Sequence, residues 1–305
     1  LLKFIVKRLG LAILVALTVS FISFILLYLS GDPAAALAGE GATDEDVHAI
    51  RELYGFDRPV LVQYVSWLLN ALSGDFGESY YFKLPVASLL AERLSVTMLL
   101  GLCGISFALL TAVPLGVMAA IRPNSLIDRI ALFLSVAGQA LPSFWFGLIL
   151  IVVFAIKLQW LPVSGSGSWQ HFIMPTIVLG YYAMPAIMRL TRAGMLEVLS
   201  SDYIRTARAK GAPEGVVMFK HALRNAIIPV VSLAAVQMGF MLGGSIVVES
   251  IFALHGAGYL AWESISRNDL PTVQALILVF SMFYIVFTFL ADVLNAWLDP
   301  RMRSS

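Results

Sequence analysis

The sequence predicts an all-α integral membrane protein built on six transmembrane helices, and three observations carry that expectation. Of its 305 residues, 59% are hydrophobic and only 13% charged, with a mean hydropathy of +0.87. Such a chain has too little polar surface to cover a soluble globule of this size. Six runs of spanning length, residues 9–29, 95–121, 130–156, 172–188, 226–248 and 272–291, contain no Asp, Glu, Lys or Arg. Basic residues are unevenly placed: seven of the 20 Lys and Arg fall between residues 189 and 225. By the positive-inside rule this bias puts the 189–225 loop and both termini on the cytoplasmic side.

Residues 1–30 hold the N-terminal tail and the first span. Lys3, Lys7 and Arg8 precede the first apolar run, and Ala36-Leu37-Ala38 follows it, which is also the outline of a secretory signal. A signal core holds about 7 to 15 apolar residues, however, and this run is long enough to span. Gly31-Asp32-Pro33 ends it. Residues 31–94 then form the one long polar insertion, placed on the extracytoplasmic side. Within it Thr43 and Asp46 have capping-box spacing before a helix that runs to Tyr54 and stops at Gly55. A second helix starts at Pro59, with Leu61, Tyr64, Val65, Leu68 and Leu72 on one face and Trp67 nearby, as in a helix lying on an interface or on the bundle.

Residues 95–305 supply the other five spans as one core. The run 172–188 is the shortest and has room to continue past Arg189. Pro114, Pro142, Pro175, Pro185 and Pro229 lie in or at the ends of spans, where each removes a backbone donor and permits a bend. Gly239 and Gly243 have the small-x-x-x-small spacing of closely approaching helices, and Gly244 widens that groove, either inside one bundle or at a subunit interface. Gln139, Ser143, Ser232, Gln237 and Ser245 are the polar side chains that offer hydrogen bonds to a solute crossing apolar walls, or equally to a neighbouring helix.

Between the fourth and fifth spans lies the most informative stretch, residues 201–229. Asp202 or Ser201 caps a short helix with Tyr203, Ile204 and Ala207 on one side and Arg205 and Arg208 on the other, and Gly211 supplies a left-handed stop. Pro213 restarts a helix at its first position. A short helix, a glycine turn and a helix entering an apolar span make a lever suited to passing force from a soluble partner. A basic loop touching lipid phosphates is the other reading of the same residues.

This stretch resembles the cytoplasmic coupling loop of permease subunits of binding-protein-dependent ABC importers, in which Glu-Ala-Ala, three residues and Gly dock on an ATPase. Arg205, Thr206, Ala207 and Gly211 occupy those positions, so the Glu and the first Ala are replaced while the second Ala and the Gly are kept. Those departures resemble the branch importing dipeptides, oligopeptides, glutathione and nickel chelates, where Thr-Ala-Arg-Ala-Lys-Gly and His-x-Leu-Arg-Asn are usual. Gly74-Asp75-Phe76-Gly77-Glu78-Ser79, Leu141-Pro142-Ser143-Phe144-Trp145, Gln159-Trp160-Leu161-Pro162 and Arg267-Asn268-Asp269-Leu270-Pro271 extend the resemblance over nearly the whole chain, to the subunit with the long first extracytoplasmic loop.

The resemblance implies a type I ABC importer permease fold with a cytoplasmic coupling helix, set in a bacterial inner membrane. It implies half of a translocation pathway for small peptides or related solutes. Implied partners are a second homologous permease, two ABC ATPase subunits that bind ATP and Mg, and an extracytoplasmic solute-binding protein docking on the 31–94 insertion. Asp202, Tyr203, Arg205, Thr206, Ala207, Lys210 and Gly211 are the ATPase-coupling residues it points to, and the helix after the loop lines the pathway.

Chemistry of the chain's own is not expected. No G-x-x-x-x-G-K-[ST] stretch is present to hold nucleotide phosphates. His48, His171, His221 and His255 lack the spacing of a helical metal site, and Cys103 has no partner in the chain for a disulfide. A net charge of +1 excludes nucleic acid as a main partner. Two other classes stay in view: an ion-coupled secondary carrier, disfavoured by spans without ionisable groups, and an intramembrane hydrolase using Gly165-Ser166-Gly167-Ser168 with His171 or His255.

Overall fold

The computed structural model describes residues 2–39 and 41–298. Helix α1 (Leu2–Ser30) ends before Gly31, and Asp32 caps α2 (Pro33–Ala38) by accepting the Ala34 N–H at 2.9 Å. The expected capping box opens α3 (Asp44–Leu53), with the Thr43 N–H donating to Asp46 Oδ2 at 3.0 Å and the Asp46 N–H to Thr43 Oγ1 at 3.3 Å. Gly55 takes a φ of +70° at its end.

Helix α4 (Val60–Leu72) follows Pro59, but its buried stripe is not the expected one. Tyr64 and Ala71 are buried with Trp67 and Leu68 half-buried, whereas Leu61, Val65 and Leu72 are exposed. The helix is rotated by its docking on α1. Tyr64 Oη lies 2.8 Å from Ser20 Oγ, and its ring meets Phe21 and Phe24 edge-on at 5.1 and 5.6 Å. A satisfied hydroxyl among aromatic edges outweighs the leucine count.

The centre of the bundle is the pair α5 (Val86–Ile121) and α8 (Ile173–Leu199). Gly104, Ala108, Ala112 and Gly116 recur every fourth residue and are all buried. A Cβ on Gly180 would sit 2.5 Å from Gly104 O, and one on Gly116 would sit 2.8 Å from Met188 O. Backbone therefore touches backbone, the arrangement that small residues allow. Pro114 and Pro185 lie inside these two helices, and α8 continues past Arg189 as the sequence allowed.

The third apolar run is not one straight span. Helix α6 (Leu126–Ala140) stops at Leu141, and α7 (Ser143–Leu150), which continues as a π-helix over Ile151–Lys157, leaves at an angle of 105°. Proline 142 is the cause: it forces Leu141 into an extended conformation, ψ 124°, and becomes the N-cap of α7. The apolar run continues through the corner, so hydropathy alone hides it.

After α9 (Asp202–Ala209), Pro213 is the N-cap of α10 (Glu214–Val216) and so stands one position earlier than expected. A π-helix (Val217–Leu223) and α11 (Arg224–Ala226) lead to α12 (Ile228–Ile251), which is followed by α13 (Ala257–Ser266) and α14 (Leu270–Leu298). Two buried carboxylates fix the end of the bundle opposite α9. Glu249, just past the fifth apolar run and inside α12, accepts Thr97 Oγ1 at 2.7 Å and the Tyr259 N–H at 2.8 Å. Asp269 accepts Ser79 Oγ at 2.5 Å, the Tyr80 N–H at 2.8 Å and Thr272 Oγ1 at 2.7 Å. Each buried carboxyl group is matched by donors. The Gly74–Ser79 and Arg267–Pro271 stretches, far apart in sequence, are joined at Asp269.

Candidate functional site

Helix α9 buries one residue. Ile204 is 0% exposed and packs in a cluster with Val117 and Ala120 of α5, Met195 of α8 and Val217, Ala222 and Ala226 beyond the turn. Asp202, Arg205, Thr206 and Lys210 are exposed on its outer side, and Ala207 is half-buried. Gly211 adopts a φ of +77°, the left-handed stop expected of it. Ser201 stands at the N-cap position without a side-chain cap; its hydroxyl donates back to Val198 O at 2.5 Å, and Asp202 instead pairs with Arg205.

Across the turn, Arg208 reaches Glu214 with contacts of 2.9 and 3.3 Å, tying α9 to α10. Tyr203, expected on the packed side, is 43% exposed, yet its hydroxyl accepts from Asn225 Nδ2 at 2.7 Å. These two ties were not anticipated from the sequence, although Arg208, Glu214 and Asn225 all lie in the stretch read there. The i to i+6 opposite-charge pair bracketing Gly211 and Pro213 was the available signal.

The second feature is a cavity of about 850 Å³ between α6, α7, α8 and α12. Of the five polar candidates, Gln139, Ser143 and Gln237 line it together. Ser232 and Ser245 do not. Ser232 accepts a hydrogen bond from Asn295 of α14, and Ser245 is buried where Gly258 of α13 packs on it, its hydroxyl donating to Leu242 O at 2.9 Å. Tyr182, Ala186, Gly243 and Gly244 are also in the wall, and the rest of it is apolar side chains of α8 and α12 with Gly239. The glycines split in role: a Cβ on Gly239 would lie 2.2 Å from the Tyr284 ring, whereas nothing lies within 4 Å of one on Gly243 or Gly244. All three line the cavity, but Gly239 also packs on α14 inside this bundle, whereas the other two present bare backbone with nothing against it.

At the start of α6, Asp128 receives a two-point contact from Arg192 of α8, at 2.7 and 2.8 Å, and the Asn124 N–H at 2.9 Å. Arg189, one turn nearer the cavity, donates from Nη1 to Gln139 Oε1 at 3.0 Å and to Ser135 Oγ at 3.3 Å. These ties pin α6 to α8. The serine and histidine considered for hydrolysis form a helix cap: His171 Nδ1 accepts the Ser168 N–H at 3.1 Å and lies 2.9 Å from Ser168 Oγ. No carboxylate contacts His171 among the described residues, so the pair lacks the third group that orients a catalytic base. Nor do the described residues include a group of His, Cys, Asp and Glu able to hold a metal ion.

Residues 112–304 match the family described as the binding-protein-dependent transport system inner membrane component, and residues 1–101 match its N-terminal region. The glutathione transport system permease proteins GsiC of Escherichia coli (strain UTI89) and Shigella dysenteriae serotype 1 are each 41% identical over 303 residues, covering 99% of this chain and 99% of each relative. An inward-facing structure of the MetNI methionine ABC transporter shares the fold, with a TM-score of 0.58 and 19% identity over 69% of this chain and 96% of that one. A six-run bundle broken at Pro142, with a short helix docked outside it on a glycine turn, is thus the permease architecture, and the chain belongs to the family of binding-protein-dependent ABC importer inner-membrane permeases, transport components and not enzymes.

Proposed function

We propose that α9 is the element on which an ATPase subunit pushes, and that the cavity between α6, α7, α8 and α12 is this chain's half of the solute pathway. The observation that carries the reading is the contrast within α9: Ile204 is fully buried among residues of α5 and α8, while Asp202, Arg205, Thr206 and Lys210 face outward. A helix anchored on one face and charged on the other is built to transmit displacement. In this reading the 189–225 loop and both termini are cytoplasmic, ATP and Mg belong to two partner ATPase subunits, and a second homologous permease supplies the other half of the pathway. Residues 31–94 form an extracytoplasmic region that receives a solute-binding protein, and residues 95–305 form the transport core. The solute is a small peptide or glutathione-like compound, as the names of the relatives suggest.

The test is Gly211→Val in the complete importer reconstituted with its ATPases, partner permease and binding protein. Residue 211 is left-handed, φ +77°, and a β-branched side chain there is strained. Hydrolysis of ATP is expected to continue while uptake per ATP falls; unchanged uptake per ATP would refute the lever. Recovery of the tagged chain from mild detergent without any P-loop subunit would refute the partnership itself.

A further inference from the structure

Arg189 and Arg192 stand one turn apart on α8 and meet different fates. Arg192 spends its charge on Asp128, with Nε to Oδ1 at 2.7 Å and Nη2 to Oδ2 at 2.8 Å. Arg189 has no carboxylate partner among the described residues. It is exposed, and its two bonds, both from Nη1, go to the neutral Gln139 and Ser135. The Nε and Nη2 edge of its fork therefore carries an uncompensated charge with no acceptor among those residues.

Its position is the second observation. Tyr182, Ala186 and Arg189 are spaced i, i+4 and i+7 and so share one face of α8. The first two line the cavity, and Gln139, which Arg189 holds, lines it as well. The described wall contains no Asp, Glu, Lys or Arg. An anion entering such a space loses hydration and gains nothing charged in return. A guanidinium at the end of the same stripe offsets that loss, and its planar fork fits a carboxylate.

We propose that Arg189 is the anion-selecting group of this pathway, a specificity residue that favours carboxylate-bearing solutes as they pass between the cavity and the α9 end of the bundle. This rests on reading the cavity as the pathway. The wall hydrogen-bonds the solute's amide groups through Gln139, Ser143 and Gln237, and Arg189 takes its carboxylate.

The experiment needs no knowledge of the solute. Cys103 is the chain's single cysteine, so Cys103→Ser with Ala186→Cys places one thiol on the stripe a turn from Arg189. In the assembled importer, this thiol is reacted with methanethiosulfonates carrying an anionic sulfonatoethyl, a cationic trimethylammonioethyl or a neutral ethyl group, and modification of residue 186 is followed by mass spectrometry. The thiolate attacks the reagent's sulfur, forming a mixed disulfide and expelling methanesulfinate. With Arg189 present the anionic reagent reacts faster than the cationic one. Arg189→Gln lowers the anion-to-cation rate ratio about tenfold, as expected for a unit charge focused at a low-dielectric mouth, while Arg189→Lys retains it and the neutral rate holds. An unchanged ratio in Arg189→Gln means that a partner subunit neutralises the charge, and it overturns the proposal. Equal changes for all three reagents mean a shape effect and overturn it too. A residue 186 thiol inert to every reagent shows that the cavity is closed to water, which removes the pathway reading and this proposal with it.

Discussion

Ile204→Ala should loosen α9 without unfolding the bundle. Ile204 is 0% exposed and is the one buried residue of an eight-residue helix. Helices shorter than about 12–15 residues are marginal on their own, so the order of α9 depends on that docking. Truncation to Ala removes about three apolar carbon groups at about 0.8 kcal/mol each, and the void left beside Met195 and Val217 adds to this. Buried Ile→Ala changes cost about 2–5 kcal/mol, and about 3 kcal/mol is a reasonable figure for a site at the edge of a cluster that can relax. The loss is local, because Asn225 to Tyr203 and Arg208 to Glu214 still hold the chain nearby. Amide hydrogen exchange over residues 202–210, followed by mass spectrometry on the detergent-solubilised complex, should therefore rise about 100-fold, at 1.4 kcal/mol per decade. Uptake per ATP should fall in parallel, and Ile204→Val should show about a third of the effect. Wild-type exchange and wild-type coupling in Ile204→Ala would refute the reasoning, since α9 would then be ordered by something other than this contact.

Three further outcomes follow from other contacts. Asp128→Ala leaves Arg192 facing a buried gap and should cost about 3 kcal/mol, the low end for breaking a buried pair because the Arg192 side chain is 23% exposed; an unchanged thermal unfolding midpoint in detergent would contradict this. Gly180→Leu must drive a side chain into Gly104 O, 2.5 Å from its Cβ, and should yield no folded, monodisperse protein by size exclusion. Asp269→Ala strips the acceptor from Ser79, Tyr80 and Thr272, and limited proteolysis should then cut residues 73–85 at least severalfold faster, with the transmembrane helices still protected.

What the sequence revealed and what it hid divide by range. The Thr43–Asp46 box and the Gly211 stop are local, each satisfied within a few residues, and both stand where their spacing put them. The rotation of α4 was hidden because it is decided by Ser20, 44 residues away. Polarity within apolar runs picked out Gln139, Ser143 and Gln237, but it could not separate them from Ser232 and Ser245, whose partners arrive from α14 and from the packing of α13. The corner at Leu141 was visible as a proline and invisible as an angle. Arg189 and Arg192 have identical chemistry and adjacent registers, so only the position of Asp128 distinguishes a structural cation from an available one. The small-residue repeat from Gly104 to Gly116 has a four-residue spacing that the reading of Gly239 and Gly243 passed over, and it marks the close approach of α5 to α8.

That packing restricts how the cavity can change. Helices α5 and α8 leave no room for a Cβ at Gly116 or Gly180, where it would lie 2.8 and 2.5 Å from a carbonyl oxygen of the other helix, so they cannot slide past one another without backbone collision. Ile204 docks on both, through Val117 and Ala120 on one and Met195 on the other, and a displacement of α9 therefore acts on the pair as one body. Helix α6 is bound to α8 by Asp128 with Arg192 and by Gln139 with Arg189, and it follows. Helix α12 makes no hydrogen bond to α8 among the described residues, but it packs on the same core, where Val230 is buried in a cluster with Met184, Ile187 and Met188 of α8. Gly243 and Gly244 face the cavity with nothing within 4 Å of a Cβ, and the segment joining α12 to the α9 turn is a π-helix with a break at Ile227, not a continuous α-helix. Far from α9, Glu249 ties α12 back to Thr97 of α5. Glu249 thus fastens one end of α12 to α5, and the other end reaches the α9 turn through irregular backbone.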